Sequence, residues 1–286
     1  MATSSTVARW ELAHRIKVRR HELGISVDQI AKHLGFTRNF FSAVENERSM
    51  LATEKLEVLL LMLEFDDGER EEMMALDEAA RQRGWWEAKE VVDLLGEDGS
   101  RYLGLEQAAV GIRTFDSLLV PGLLQIGDYM RLVMQNDPIR SRIDVDKMVD
   151  VRERRQRSVL ETGVRVVCVI TEAALRQTWG SAEVRRRQMQ YIQKLALENV
   201  VTLRILTFET PPGILASSAT LLLLDFASPH LPSIGYQEAV RDLGSTIEGE
   251  PHFERLQFGW DQAADNALGH ADSCSFIDRL LIESDT

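Results

Sequence analysis

Residues 26–46 read Ser-Val-Asp-Gln-Ile-Ala-Lys-His-Leu-Gly-Phe-Thr-Arg-Asn-Phe-Phe-Ser-Ala-Val-Glu-Asn, a pattern of two short helices joined by one tight turn. Ser26 suits an N-cap, and Gln29 three residues on completes a capping box ahead of an apolar run. Ile30, Ala31 and Leu34 fall on one face at helical spacing, and Ala31 is small, as a close helix crossing requires. Gly35 follows where a helix ending in the left-handed region needs a residue without Cβ. Thr37 is placed to cap a second helix whose Phe41 and Val44 point inward. Alanine, then glycine four residues on, then an apolar residue six further, is the spacing of a helix-turn-helix.

The first turn of that second helix presents Arg38 and Asn39, with Ser42 and Ala43 one turn on. Arg can make two hydrogen bonds to guanine O6/N7, and Asn two to adenine N6/N7. These four residues are the expected base contacts. The plainer alternative is a helical hairpin with a polar outer face. Phe40, turned about 100° from Phe41, is expected to fill a gap against the first helix or to meet thymine methyls.

The 286-residue chain has a net charge of −12, which at first argues against a nucleic-acid partner. Its distribution argues the other way. Residues 1–50 hold eight Lys or Arg and five Asp or Glu, a balance of +3 that leaves −15 for the rest. A mildly basic head on an acidic body lets phosphate steer orientation while the body resists nonspecific adhesion. The hydrophobic content of 44% and charged content of 27% are those of a globular protein. No apolar run approaches the roughly 20 residues of a membrane span, and the first residues lack the apolar core of a signal peptide. Cys168 and Cys274 form neither a disulfide framework nor a metal-binding spacing. A cytoplasmic, nucleoid-associated protein without membrane contact is expected.

Working outward, residues 7–22 read as a first helix carrying Leu12 and Ile16 on one face. After a loop at 47–52, a helix begins at Thr53 with Leu56, Leu59, Leu60 and Leu63 inward, and Asp66-Asp67-Gly68 ends it. A five-helix bundle over about 7–66 is expected, within a domain at 1–68. Residues 69–83 read as a connecting helix with a Met73, Leu76, Ala80 seam, in a linker region at 69–99. There Trp85-Trp86 is expected to plug the linker onto a second domain rather than to form a ligand cage.

From about residue 100 strand-like runs at 109–115, 164–170, 200–206, 220–226 and 234–238 alternate with helical ones at 127–135, 145–161, 172–179, 181–198, 251–264 and 274–283. Breaks are expected at Asp137-Pro138 and Pro211-Pro212-Gly213. The fold class expected is a mainly α helix-turn-helix bundle followed, at 100–286, by an α+β regulatory or dimerisation domain. Its sheet is expected to be mixed or antiparallel, with about five strands, largely of antiparallel type.

Residues 37–47, Thr-Arg-Asn-Phe-Phe-Ser-Ala-Val-Glu-Asn-Glu, resemble the Xre/Cro-type helix-turn-helix family, whose pattern there is Ser-Arg-x-x-Ile/Val-Ser-x-Ile-Glu-Asn-Gly. Two positions depart from it. Glu47 replaces the glycine and puts an acid near the expected phosphate path, and Val27 replaces a phosphate-touching Gln. Backbone anchoring then falls to Arg19, Arg20, Thr37, Asn46 and Arg48. Further on, Gly84-Trp-Trp-Glu87, Tyr102-Leu-Gly-Leu-Glu106, Ile112-Arg-Thr-Phe, Val120-Pro-Gly-Leu-Leu-Gln125, Arg155-Gln156, Thr171-Glu-Ala-Ala-Leu175 and Gln188-Met follow in the order found in the actinobacterial (Streptomyces-type) antitoxin-like Xre regulators. That resemblance, over essentially the whole chain, implies a transcriptional regulator, often encoded beside a small acidic partner protein.

Other chemistry finds little support. No nucleotide-binding glycine loop or nucleophile elbow occurs, and His230, His252 and His270 lack ligand spacing with the cysteines. Glu106 and Glu172 read as capping or pairing carboxylates. The runs Arg152/Arg154/Arg155/Arg157 and Arg185-Arg186-Arg187 read as solvated faces in preference to anion sites. Neither an enzyme nor a cofactor is expected. A homodimer on operator DNA, controlled by the C-terminal domain through a protein partner, is the leading expectation. A domain that senses a small molecule is the alternative.

Overall fold

The computed structural model describes residues 3–135, 142–211, 213–240, 243–247 and 252–283. The chain divides into two units, Met1–Ala108 with Ser228–Leu231, and Ala109–Ala227 with Pro232–Thr286.

The first unit is helical: α1 (Ser5–Glu22), α2 (Val27–Leu34), α3 (Arg38–Glu45), α4 (Thr53–Met62), α5 (Asp67–Arg81) and α6 (Lys89–Gln107), which breaks at Gly96. Four helices occupy the span where five were expected, and α5 supplies the fifth. Its Met73 is fully buried in one cluster with Ile16, Ile30, Phe41, Leu56, Leu59, Leu60 and Leu63. Each such side chain contributes about 1.5–3 kcal/mol by leaving water, so α5 is a wall of the bundle, not a passive connector. The Asp66-Asp67-Gly68 break also starts this helix, because Asp66 accepts from the Glu69 N–H and Glu69 accepts from the Asp66 N–H. Asp77, buried on α5, takes the Arg81 guanidinium and the Thr53 hydroxyl that opens α4.

Trp86 ties the segment expected as a linker both to α1 and to Ser100 and Gly104, at the start of the region expected as the second domain. Its indole N–H donates to Thr6 on α1 at 3.0 Å, and its carbonyl accepts from Ser100. Gly104 lets these groups meet: a Cβ there would lie 2.0 Å from the Thr6 hydroxyl and 2.6 Å from the indole nitrogen. The Gly84-Trp-Trp and Tyr102-Leu-Gly-Leu-Glu motifs are therefore two halves of one packing contact.

The second unit holds β1 (Gly111–Asp116), α7 (Gly127–Met134), α8 (Arg142–Leu160), β2 (Arg165–Thr171), α9 (Glu172–Arg176), α10 (Ala182–Leu197), β3 (Val201–Leu206), β4 (Thr220–Asp225), β5 (Ile234–Val240), β6 (Leu243–Ile247), α11 (His252–Asn266) and α12 (His270–Glu283). The breaks expected at Asp137-Pro138 and Pro212 lie outside the described residues. The sheet is mixed, in the order β3-β2-β1-β4-β5-β6. β1, β2 and β3 pair in parallel, and β4, β5 and β6 extend the sheet antiparallel. The expected antiparallel character thus holds for one half only. Parallel neighbours need a crossover, and the chain between β1 and β2 carries α8, while that between β2 and β3 carries α10. β6 (Leu243-Gly-Ser-Thr-Ile) gives little strand signal in sequence because it is short, with a glycine and only two large apolar residues.

Burial on both faces explains the near-continuous apolar runs of β2 and β4. Phe115, Val169, Leu221 and Leu223 cluster with Phe253, Trp260, Ala263 and Ala264 of α11, while Ile112, Val166, Cys168, Leu222 and Leu224 alternate with them and are buried too.

Candidate nucleic-acid interface

The local chemistry of residues 26–46 forms as the spacing predicts. Ser26 accepts from the Gln29 N–H at 3.2 Å, and Gln29 returns by accepting from the Ser26 N–H at 2.7 Å. Gly35 takes φ 79°, and Thr37 caps α3 by accepting from the Phe40 N–H at 3.2 Å. Ile30, Ala31, Leu34, Phe41 and Val44 are buried, which turns the other side of α3 outward. Arg38 and Asn39 are exposed there, with Ser42 and Ala43 half-exposed one turn on. All four expected base contacts therefore share one accessible face. Phe40 is half-buried and its ring lies 4.6 Å from that of Phe36, so it packs within the turn rather than against α1.

The residues expected at phosphates separate into two groups. Thr37, Asn46 and Arg48 are exposed. The Asn46 amide also donates to the Ser42 carbonyl at 2.7 Å, and among the described residues Arg48 has no ion pair. Arg19 instead grips both oxygens of Glu69 at 3.0 and 3.1 Å and lies over the Phe65 ring. Arg20 is interior. Its guanidinium binds both oxygens of Glu45 at 2.6 and 3.0 Å and the Ile25 carbonyl at 2.9 Å, with the two side chains 9% and 5% exposed. It ties α1 to α3 and has no face to offer a phosphate. The signal was present in the sequence: Leu12, Ile16 and Arg20 are spaced four apart, so Arg20 continues the core stripe.

Glu47 is where the substituted glycine becomes visible. It sits at φ 62°, with its N–H on the Val44 carbonyl and the Arg48 N–H on that of Ala43, a Schellman ending that normally takes glycine. Holding a residue with Cβ in this region costs about 1–2 kcal/mol. The carboxylate does not face the expected phosphate path unscreened, because Arg101 of α6 donates to both its oxygens at 3.2 Å. Sequence reading also missed Asp28, whose Oδ2 lies 3.0 Å from Arg38 Nη1, and Lys55, which caps the end of α2 through the Leu34 carbonyl at 3.0 Å.

In the second unit three of the ordered motifs, Val120–Gln125, Arg155-Gln156 and Gln188-Met, converge on one loop. Gln156 donates to the Gly122 and Gln125 carbonyls, both at 2.8 Å, and Gln125 to that of Val120 at 2.7 Å. Gln188 donates to the Leu124 carbonyl at 2.6 Å and accepts from the Ile126 N–H at 2.9 Å. A family model described as "Domain of unknown function (DUF5753)" matches residues 100–279. The chain belongs to this family. A second model, a helix-turn-helix domain, matches residues 11–73, a span that reaches Met73 of α5. No curated protein and no solved structure matches the chain.

The DUF5753 region thus contains the glutamine clamp and the whole sheet. Its Glu172 is held by Arg176 at 2.6 Å and by the Phe208 N–H at 3.0 Å, a pairing role. Burial pushes the Cys168 thiol up to about 12. Among the described residues no group of His, Cys, Asp or Glu is placed to hold a metal ion, and no helix is long and apolar enough to cross a membrane. A helix-turn-helix domain on the same chain as a DUF5753 domain points to a DNA-binding regulator.

Proposed function

We propose that the protein is a sequence-specific transcriptional regulator of the Xre/Cro type, in the antitoxin-like group, acting in the cytoplasm on operator DNA. Arg38 and Asn39 read base edges from the start of α3, with Ser42 and Ala43 approaching the same groove. Thr37, Asn46 and Arg48 hold the phosphates, and Arg19 and Arg20 do not. The observation that carries this reading is the accessible face of α3, with Arg38, Asn39 and Ser42 beside the small Ala43, opposite the buried Phe41 and Val44.

With two of five anchoring residues committed to internal ion pairs, one copy has few phosphate contacts. A two-fold dimer reading half-sites about 34 Å apart is the usual remedy, and the C-terminal domain is the natural source of both dimerisation and control through a small acidic partner protein. The test is fluorescence anisotropy with duplexes recovered by selection from a randomised library. Arg38→Ala loses about 1–3 kcal/mol of discrimination at one base pair, whereas Arg48→Ala weakens all duplexes alike and flattens the salt slope. Uniform loss in Arg38→Ala would remove the base-reading role.

A further inference from the structure

The geometry points to Asp28 as a positioning residue that sets base preference through Arg38. The inference rests on Arg38 reading a base. Asp28 lies in the first turn of α2 and Arg38 opens α3, ten residues later across the turn. Their 3.0 Å contact is on the surface, with the side chains 61% and 69% exposed. Neither the fold nor the core needs it.

Three physical points give the pair a role. A cation in the first turn of a helix faces the positive end of the helix dipole, so Arg38 is placed against its own helix and Asp28 offsets that. A long arginine side chain in water samples many rotamers, and a carboxylate on one nitrogen removes most of them. The contact uses Nη1, which leaves the Nε–Nη2 edge intact. That edge is one of the flat donor pairs that can meet guanine O6 and N7 together. In water such a pair contributes little, but its attraction strengthens when an approaching duplex excludes solvent. An acid on the DNA-facing side otherwise opposes phosphate, and holding Arg38 is the compensating use of it.

The test measures full-length wild type, Asp28→Asn, Arg38→Ala and the double variant against the selected duplex and its single-base-pair substitutions. Asp28→Asn is expected to cut the preference at the Arg38 base pair by about three- to five-fold, the scale of a helix-terminus charge interaction, and to leave the other pairs unchanged. Added to Arg38→Ala, it changes that preference no further. The unfolding midpoint falls only slightly, through loss of an exposed carboxylate from the first turn of α2, and a stability loss of that kind does not single out one base pair. If Arg38→Ala abolishes the preference while Asp28→Asn keeps it, or shifts every duplex equally, the positioning role is overturned and base reading stands. If Arg38→Ala leaves the preference intact, base reading itself fails.

Discussion

In the N-terminal unit several buried polar groups are charged and matched in pairs: Arg20 with Glu45, Asp77 with Arg81, Arg15 with Glu11 and Glu72. The loop at 120–126 in the C-terminal unit is tied instead by neutral amides, those of Gln125, Gln156 and Gln188. The difference decides what each region exposes. In the helical bundle, which arginines face DNA depends on which are not consumed inside, so the basic character of residues 1–50 overstates the cations free for phosphate. It also decides how each region fails. Losing one member of a buried ion pair strands a charge, at about 3–5 kcal/mol. Losing an amide strands a neutral backbone group, at about 1–3 kcal/mol.

The largest expected effect follows from that contrast. Arg20→Ala leaves Glu45 buried without its partner and should destabilise the bundle by about 3–5 kcal/mol. Hydrogen exchange on the full chain would report it as lost protection in α1 and α3. An Arg20→Ala protein as stable as wild type, but weaker on DNA, would put Arg20 at the phosphates and break the distinction between internal and external arginines. Gln188→Ala comes next. It removes the partners of the Leu124 carbonyl and the Ile126 N–H, and should cost about 1–3 kcal/mol, with protection lost first at 122–126.

The same contrast explains what was legible in the sequence. Residues 26–46 declare themselves because capping, turn and core spacing are local, and each is satisfied within four or five residues. Arg20 is harder to place, because its charge suggests exposure while its register with Leu12 and Ile16 puts it inside. Met73 of α5 sat on a correctly expected helix, but a narrow apolar seam does not say what it packs against. The parallel pairing of β1, β2 and β3 was hidden for the same reason, since pairing direction depends on chain that crosses over between strands. The glutamine clamp joins residues up to 64 apart, and no local rule links Gln188 to Leu124.

A smaller effect isolates the strained end of α3. Glu47→Ala and Glu47→Gly both lose the Arg101 contact, but only glycine relieves the positive φ. Glycine should therefore be the more stable of the two by about 1 kcal/mol in urea unfolding. Equal stabilities would mean that the backbone relaxes out of this region once Arg101 lets go. The left-handed ending would then be imposed by the ion pair rather than by the helix.

The smallest effect is one of pH, and it separates the two regions directly. Burial alone would raise the Glu87 carboxyl, but hydrogen bonds from Ser5, the Gly84 N–H and Arg9, with the charge of Arg9, bring it below the usual carboxylate range. A group depressed on folding stabilises fully above its unfolded value and loses that contribution as pH falls through the folded one. Acid should therefore loosen the junction between α1 and the Gly84-Trp-Trp segment. The amide clamp has no titrating partner in its hydrogen bonds and should keep its protection over the same range. Glu87→Gln removes the titrating group, so its exchange at Trp85–Glu87 should depend less on pH than that of wild type. If the variant follows the wild-type curve, another group governs acid loosening there. If the clamp at 122–126 opens in step with the junction, ionic and amide ties do not divide the chain by pH at all.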